Sequence, residues 1–214
     1  MAYLRSHSTL RGAVAALAAL GFAGPALAHH PLGGETPTTF VHGLLSGIGH
    51  PMIGIDHLAF VIAVGIAAML AGRPLLLPLL FVVATIGGTL VHLAAIGLPG
   101  VELVIALSVA AIGAMVLSGK RWGVAPYGAL FAVAGLFHGH AYGEAVFGAE
   151  ATPVAAYLFG FGAIQFAIAV AAGWLMRAPE ATAKPIGARL VGAMVAGAGV
   201  LLVSEHVLAA LGLA

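Results

Sequence analysis

Long apolar segments separated by short breaks most constrain what this chain can fold into. Six of them can be drawn after the polar stretch at residues 33–39, and they span residues 52–71, 75–98, 101–118, 124–147, 153–176 and 186–212. Each approaches or exceeds the roughly 20 residues that an α helix needs to cross a bilayer. Only 7% of the 214 residues are charged, against about 25% in soluble domains. The sequence therefore predicts an all-α membrane protein with six transmembrane helices.

The N-terminal segment has the features of a cleaved signal peptide. Arg5 and Arg11 precede a short apolar run, and small residues precede a cleavage site after Ala28. An uncleaved first transmembrane helix is the alternative. We divide the chain into a signal peptide (1–28), an external segment that leads into the first span (29–51) and a six-helix transmembrane domain (52–214).

Cleavage would place His29 and His30 at the mature N-terminus. The α-amine, the next amide nitrogen and an imidazole can chelate Ni²⁺ or Cu²⁺, which tolerate square-planar nitrogen ligation. Two solvated histidines in a terminal segment are the alternative interpretation.

The positive charges indicate the orientation of the chain. With an external mature N-terminus, the first, third and fifth loops are cytoplasmic. Every Lys and Arg after the signal peptide lies in or beside these loops: Arg73, Lys120, Arg121, Arg177, Lys184 and Arg189. The positive-inside rule therefore predicts a multi-pass protein of the bacterial inner membrane with both mature termini in the periplasm.

Histidines and acidic residues collect in the opposite, external half of the predicted bundle. They are His42, His50, Asp56, His57, His92, Glu102, His138, His140, Glu144, Glu205 and His206. Such groups are costly in hydrocarbon, so they normally face the bundle interior, pair with one another or line a polar pathway. This asymmetry predicts an externally facing polar site.

The composition limits what such a site can bind. The chain contains no cysteine, so a metal would need nitrogen and oxygen ligands, and imidazole with carboxylate suits Ni²⁺, Co²⁺ or Zn²⁺. The net charge of +1 and the absence of a Lys/Arg cluster argue against nucleic-acid binding. We expect a divalent metal ion and the lipid bilayer as partners, and no organic cofactor.

The first cluster of ionisable residues contains His50, Asp56 and His57. On a regular helix, His50 and His57 would be separated by about 10.5 Å along the axis, too far to share one ion. Glycines and Pro51 favour a departure from helix at residues 49–51, because glycine tolerates unusual dihedral angles and proline disfavours helix at the preceding residue. The two histidines are expected to bind one ion only if this segment is not regular helix.

The second cluster spans residues 137–144. On a helix His140 and Glu144 share one face and His138 and Tyr142 share another, so the two histidines cannot both point at one centre. Glycines repeat every fourth residue here, which indicates a face where a neighbouring helix packs closely: Gly135, Gly139 and Gly143.

Two histidine–carboxylate clusters at matched depth on separate spans favour metal binding over isolated structural hydrogen bonds. The candidate metal ligands are His50, Asp56, His57, His138, His140, Glu144, Glu102, His29 and His30. Glu102 could instead mark the water interface. We expect structural roles for the remaining single histidines, which are His42, His92 and His206.

At these motifs the chain resembles the HupE/UreJ family of membrane proteins. The family pattern His-Pro-x-x-Gly-x-Asp-His is matched in full by residues 50–57, and the family's Phe-His-Gly motif with a downstream glutamate is similar to residues 137–144. Family members often have histidine where Tyr142 stands. The resemblance implies a role in nickel or cobalt uptake for hydrogenase and urease, with His50, Asp56, His57, His138 and Glu144 at the site. Glu102 lies where members of the family tend to have an acidic residue in the third span, so the resemblance implies a role for it as well.

The predicted function is a secondary permease that captures Ni²⁺ or Co²⁺ from the periplasm and moves it inward, without enzymatic activity. A haem-binding cytochrome is one alternative, because histidines on facing spans can be axial ligands. A metal-binding accessory protein that does not transport is another, and an intramembrane zinc hydrolase is a third. A homo-oligomer and contacts with nickel-enzyme maturation proteins remain open.

Overall fold

The computed structural model describes residues 35–177 and 186–213, and within these ranges the chain is helical and has no β strand. The α helices of this part are α1 (Phe40–Ile53), α2 (Ile55–Leu70), α3 (Leu76–Leu93), α4 (Val101–Leu117), α5 (Val124–Gly143), α6 (Ala151–Leu175) and α7 (Ile186–Ala210). A short 3₁₀ helix, Glu144–Val146, follows α5. The predicted all-α class is confirmed. The predicted signal peptide, His29 and His30 lie outside the described residues.

Three of the described helices are each long and apolar enough to cross a membrane, namely α3, α6 and α7. α1 and α2 pass the same test together, as one strongly bent pair, whereas α4 is apolar but shorter. Apolar side chains such as Leu79, Val83 and Leu90 of α3 are exposed on the outside of the bundle. An apolar outer surface is what a bilayer requires, because lipid cannot satisfy polar groups.

α2 lies at the centre of the bundle, where it contacts each of the other six helices described above. Around it the helices pack in close pairs, α3 with α5, α4 with α7 and α1 with α6. Gly65 of α2 faces the backbone of Ala169 in α6, and Gly113 of α4 faces the backbone of Ala196 in α7. Small residues at such contacts let backbones approach closely.

The predicted glycine face of α5 is confirmed. A Cβ atom on Gly139 would overlap the backbone oxygen of Thr85 in α3, and one on Gly143 would lie 2.6 Å from Cβ of His92. Thr89 of α3 donates a hydrogen bond of 2.8 Å to the carbonyl of Gly139. This close packing places the C-terminal ends of α3 and α5 side by side.

The helix break in the first motif lies at Gly54, and the prediction of a break at residues 49–51 is wrong. α1 continues through Pro51 and ends at Ile53, and Gly54 adopts φ −73° and ψ 107°. α1 and α2 meet at this residue with a bend of 82°. Pro51 removes one helical hydrogen bond, and Gly54 is a poor helix former, so both weaken the helix at this point. The bend still interrupts the helix between His50 and His57, as the shared-ion hypothesis requires.

Candidate functional site

Three histidines from three helices converge inside the bundle. His50 lies in the last turn of α1, His57 in the first turn of α2 and His138 near the end of α5, and all three are buried. The ring centroids of His50 and His57 are 6.2 Å apart, and those of His57 and His138 are 5.0 Å apart. The bend at Gly54 therefore brings together two histidines that a straight helix would separate.

His57 and His138 are in direct contact through their Nδ1 atoms, which lie 2.9 Å apart. One of these nitrogens donates a proton and the other accepts it, so the two Nδ1 atoms cannot both be protonated. The Ser108 hydroxyl of α4 lies 3.1 Å from Nε2 of His138 and donates to the Ile105 carbonyl at 2.7 Å. Because that hydroxyl proton is used by Ile105, Nε2–H of His138 donates to Ser108. The Nδ1 atom of His138 is then the acceptor that faces His57.

His50 is oriented by a second hydroxyl in the same way. Tyr157 of α6 donates its hydroxyl proton to the carbonyl of Tyr142 at 2.9 Å, and its oxygen lies 3.0 Å from Nδ1 of His50. Nδ1–H of His50 is therefore the donor to Tyr157. In a neutral imidazole this arrangement makes Nε2 the acceptor nitrogen. Both histidines thus have their tautomer fixed by a hydroxyl that is itself held by a backbone carbonyl.

Tyr142 fills the space between the histidines of the cluster. Its ring centroid lies 4.9 Å from that of His50 and 4.6 Å from that of His57. The side chain is fully buried, and its hydroxyl has no hydrogen-bond partner in the part of the chain that the structure describes. The site therefore contains a polar group beside two imidazoles that the fold itself does not use.

Asp56 and Glu102 each lie in the first turn of a helix, Asp56 in α2 and Glu102 in α4. Oδ2 of Asp56 is 3.9 Å from Nδ1 of His57, and the Asp56 side chain is 19% exposed. Glu102 is exposed. Asp56 is thus the acidic group placed directly beside the His57–His138 contact.

A wall of phenylalanines lies against the His138 side of the cluster. Phe60 of α2, Phe81 of α3 and Phe131 of α5 are each fully buried. Their ring centroids lie 5.3 to 6.5 Å from one another, and that of Phe60 is 4.5 Å from His138. Three aromatic rings from three helices therefore form an apolar layer next to the cluster.

The second motif divides between two places, as its helical geometry predicts. His138 joins His50 and His57, whereas Nδ1 of His140 lies 3.5 Å from Nδ1 of His92 in α3. Glu144 begins the 3₁₀ helix, is exposed, and interacts electrostatically with His92. The structure therefore places His140 and Glu144 with His92, away from the partners of His138.

The two remaining histidines of the described chain, His42 and His206, do not take part in the histidine cluster. Nδ1 of His206 lies 2.8 Å from the carbonyl of Leu202, one turn earlier in α7, so it bonds within its own helix. His42 is exposed in the first turn of α1.

Across residues 35–177 and 186–213, no three His, Asp or Glu side chains are positioned to hold one ion together. An ion bound at the contact between His57 and His138 would have two imidazole ligands. It would take its other ligands from water or from a carboxylate that moves.

The roles of Ser108 and Tyr157 were not predicted from the sequence. Each is a buried hydroxyl in an apolar helix, and Ser108 is 30 positions from the histidine that it contacts. No spacing pattern connects them to the motifs. The one signal that the sequence offers is a hydroxyl side chain in the interior of an apolar segment, where it has no helix-capping role.

A buried histidine cluster inside an apolar helical bundle defines a helical membrane protein with an internal polar site. The chain belongs to the family described as HupE / UreJ protein, which matches residues 17–202. It is 33% identical over 189 residues to Protein HupE of Rhizobium leguminosarum bv. viciae, across 87% of this chain and 94% of that protein. No solved structure matches the chain. The resemblance inferred from residues 50–57 and 137–144 is thereby confirmed.

Proposed function

We propose that this protein is a secondary permease of the bacterial inner membrane that captures Ni²⁺ or Co²⁺ from the periplasm and releases it into the cytoplasm. The observation that carries the proposal is the buried contact between His57 and His138, with Asp56 beside it. Membership of the HupE/UreJ family, which is linked to nickel and cobalt uptake, supports it. In this proposal the chain crosses the membrane six times after a cleaved signal peptide, with both mature termini in the periplasm.

The spacing of the two imidazoles suits a divalent transition metal. Two nitrogen ligands at right angles around an ion lie about 2.9 Å apart when each bond is about 2.05 Å. The Nδ1 atoms of His57 and His138 are 2.9 Å apart. Small rotations of the two rings, without movement of the backbone, could thus direct both nitrogens at one ion. Asp56 would add negative charge beside it, and Tyr142 could bind one of its water ligands.

The hydroxyls behind the histidines support the same function. Metal-binding histidines usually donate their other ring N–H to an oxygen, which fixes the tautomer and the ring orientation. Ser108 accepts from Nε2–H of His138 and so leaves its Nδ1 able to bind metal. A ligand set that is prepared in this way, but incomplete, would hold an ion that keeps part of its hydration shell. Such an ion can leave again, as transport requires.

The membrane potential supplies enough energy for inward movement. An inside-negative potential of 100 mV contributes about 2.3 kcal/mol per elementary charge, or about 4.6 kcal/mol for a divalent ion. The chain contains no Gly-x-x-x-x-Gly-Lys-Ser/Thr loop for nucleotide binding. Uptake driven by the potential is therefore the simplest energy source for this chain.

Passage to the cytoplasm would require the phenylalanine wall to open. Phe60, Phe81 and Phe131 form an apolar constriction, and such constrictions can gate by excluding water. Gln165 of α6 is a buried polar residue about 12 Å beyond Tyr157, at the rise of an α helix. Its Oε1 atom has no hydrogen-bond partner among the described residues. Its Nε2 atom lies 3.5 Å from Oγ1 of Thr85, whose backbone packs against Gly139, so the free oxygen is a candidate ligand for an ion that leaves the histidine cluster.

Nickel and cobalt uptake by cells that lack their own transporters tests the proposal. We expect His57→Ala and His138→Ala to reduce accumulation of radioactive Ni²⁺ to the level of cells without the protein. His206→Ala is the matched control, because His206 bonds only within its own helix turn. Membrane fractions must contain equal amounts of each variant. Accumulation by His57→Ala equal to that of the wild type would overturn the proposal.

The same strains separate transport from the alternatives. If the purified protein binds Ni²⁺ but expression does not increase uptake, a metal-binding accessory protein replaces the permease. A haem cytochrome gains no support from the geometry, because Tyr142 and Phe60 pack directly on the histidine rings and occupy the space that a porphyrin would need. A Soret band in the purified protein would reverse that conclusion.

A further inference from the structure

A second histidine pair lies outside the cluster described above, at the external ends of α3 and α5. His92 is in the last turn of α3 and His140 in the last turn of α5. Their Nδ1 atoms are 3.5 Å apart, and their rings meet edge to face with centroids 4.6 Å apart. Glu144, which interacts electrostatically with His92, is the nearby acidic group. The proposed transport site uses none of these side chains.

The tautomer of His140 is fixed by the backbone. Nε2 of His140 lies 3.0 Å from the carbonyl oxygen of Ile96, and since a carbonyl can only accept, Nε2 carries the proton. In the neutral ring Nδ1 is then an unprotonated lone pair, and it is the atom that faces His92. A histidine that donates one ring N–H to a backbone carbonyl and presents the other nitrogen is the usual arrangement of a metal ligand.

The loop that supplies this carbonyl has an unusual backbone. Ala95 follows the end of α3 with φ 57°, a left-handed conformation that costs a residue with a Cβ atom about 1 kcal/mol or more. Its N–H bonds the carbonyl of His92 at 2.8 Å, and the N–H of Ile96 bonds that of Val91 at 3.2 Å. This turn directs the chain back over α3 and places the Ile96 carbonyl against His140.

The distance between the two nitrogens favours a shared ion over a direct hydrogen bond. At 3.5 Å the contact is longer than the roughly 2.7–3.2 Å of hydrogen bonds between protein groups. Two nitrogen ligands at a tetrahedral angle, with bonds of about 2.05 Å, lie about 3.3 Å apart. The separation of the His92 and His140 nitrogens is thus close to that of two ligands of one tetrahedral ion.

The pair can be reached from outside the bundle. His140 is 8% exposed, His92 is partly exposed, and Glu144 is exposed. Phe147 packs edge-on against the His92 ring, with centroids 5.4 Å apart, and covers one side of it. An ion at this position would therefore meet two ordered imidazoles and could take its other ligands from water.

We propose that His92 and His140 form a second, outer binding site for a divalent first-row transition-metal ion, separate from the site at His57 and His138, with water or a Glu144 side chain that moves toward the ion completing its coordination. The inference rests on the proposed function for the identity of the ion. Binding here would concentrate Ni²⁺ or Co²⁺ at the external end of the bundle before the ion enters. Two imidazoles with oxygen ligands in the other positions suit these metals.

Binding stoichiometry of the purified full-length chain in detergent tests this site. Ni²⁺ binding is measured by equilibrium dialysis for the wild type, His92→Ala, His140→Ala and the control His206→Ala. We expect each of the first two variants to bind one ion fewer per chain than the wild type, and the control to bind the same number. Because the readout is a difference, ions bound elsewhere, including at His29 and His30, cancel.

Two further variants exclude an effect of misfolding. His92→Gln keeps the size of the side chain and a hydrogen-bonding group but is a poor metal ligand, and it should also lose one ion. Ala95→Gly keeps the left-handed turn, which glycine adopts without strain, and should bind as the wild type does. Unchanged stoichiometry in His92→Ala and His92→Gln would overturn the outer site.

The outcome is distinguishable from failure of the permease. If the wild type binds one ion more than His92→Ala but gives no uptake, the outer site is supported and the transport function is contradicted. If uptake depends on His57 while His92→Ala binds as many ions as the wild type, the transport function stands and the outer site falls. Co²⁺ spectra add an independent signal, since a tetrahedral cobalt band should be present in His57→Ala and absent from His92→Ala.

Discussion

The Nδ1 atoms of His57 and His138 lie 2.9 Å apart, although 81 positions separate the two residues in the chain. A contact this short between two imidazoles contains one proton. An ion bound by both nitrogens must displace that proton from Nδ1, and in a neutral ring the proton can move to Nε2 of His57. Metal binding therefore requires a change of tautomer at His57, and a positively charged imidazole in the pair would have to lose a proton.

We predict that Ni²⁺ binding to the inner site weakens once the pH is low enough to protonate either imidazole, because a charged imidazole has no free nitrogen lone pair. Each protonated imidazole must then release one proton per ion, so in that range the affinity should change by at least about tenfold per pH unit. Calorimetry of the His92→Ala chain in buffers of different ionisation enthalpy counts the released protons. An affinity that stays constant down to about pH 4, while the chain remains folded, would contradict a shared nitrogen pair.

A second prediction concerns the hydroxyl behind His138. Ser108→Ala removes the acceptor of the Nε2 proton, so His138 can turn its protonated nitrogen toward the site. Loss of such a supporting group typically reduces metal affinity by about 10–100-fold. The orphaned N–H should also lower the free energy of unfolding by about 1–3 kcal/mol. Ni²⁺ titration and thermal unfolding in detergent measure the two effects.

Ser204→Ala is the matched control for that variant. Ser204 of α7 donates to the carbonyl of Leu201 at 2.7 Å, as Ser108 does to Ile105, but it is exposed. It should change neither affinity nor stability appreciably. If both serine variants bind Ni²⁺ like the wild type, Ser108 does not orient a metal ligand.

A third prediction uses two tyrosines of the same helix. Tyr127 and Tyr142 of α5 are fully buried, and both hydroxyls lack a hydrogen-bond partner within the described chain. An unsatisfied buried hydroxyl costs about 1–3 kcal/mol, so Tyr127→Phe and Tyr142→Phe should each raise thermal stability. The residues are about 22 Å apart along the helix, and Tyr142 alone packs on His50 and His57. Only Tyr142→Phe should weaken Ni²⁺ binding, by several-fold. Equal Ni²⁺ affinities in the two variants would show that the Tyr142 hydroxyl does not serve the ion.

Much of the architecture could be predicted from the sequence. The long apolar segments predicted an all-helical fold. The four-residue spacing of Gly135, Gly139 and Gly143 predicted the close contact that α5 makes with α3. Helical geometry predicted that His138 and His140 point to different places, which the contacts with His57 and His92 confirm. These features depend on local periodicity, which a single sequence displays.

The features that the sequence did not reveal depend on contacts between distant residues. The break at Gly54 was expected at residues 49–51, because the proline rule identifies a weakened helix but not where packing ends it. His92 was expected to act alone, since nothing in its own segment indicates that α5 brings His140 within 3.5 Å. Ser108 and Tyr157 orient histidines on other helices and have no local motif. Such partners become visible only when the helix pairs are known.

The last prediction tests whether close packing of α3 on α5 holds both histidine pairs in place. Gly139→Ala would place a methyl group against the backbone of Thr85 and push the helices apart. Overpacking against backbone should cost at least about 2 kcal/mol and should reduce Ni²⁺ binding at both sites, since His138 and His140 flank this residue. Gly87→Ala is the control, because a Cβ there has no neighbour within 4 Å. In a helix interior that change should stabilise the protein by about 0.5–1 kcal/mol. Thermal unfolding in detergent together with Ni²⁺ stoichiometry measures both variants, and an unchanged Gly139→Ala protein would show that the spacing of α3 and α5 does not control the two sites.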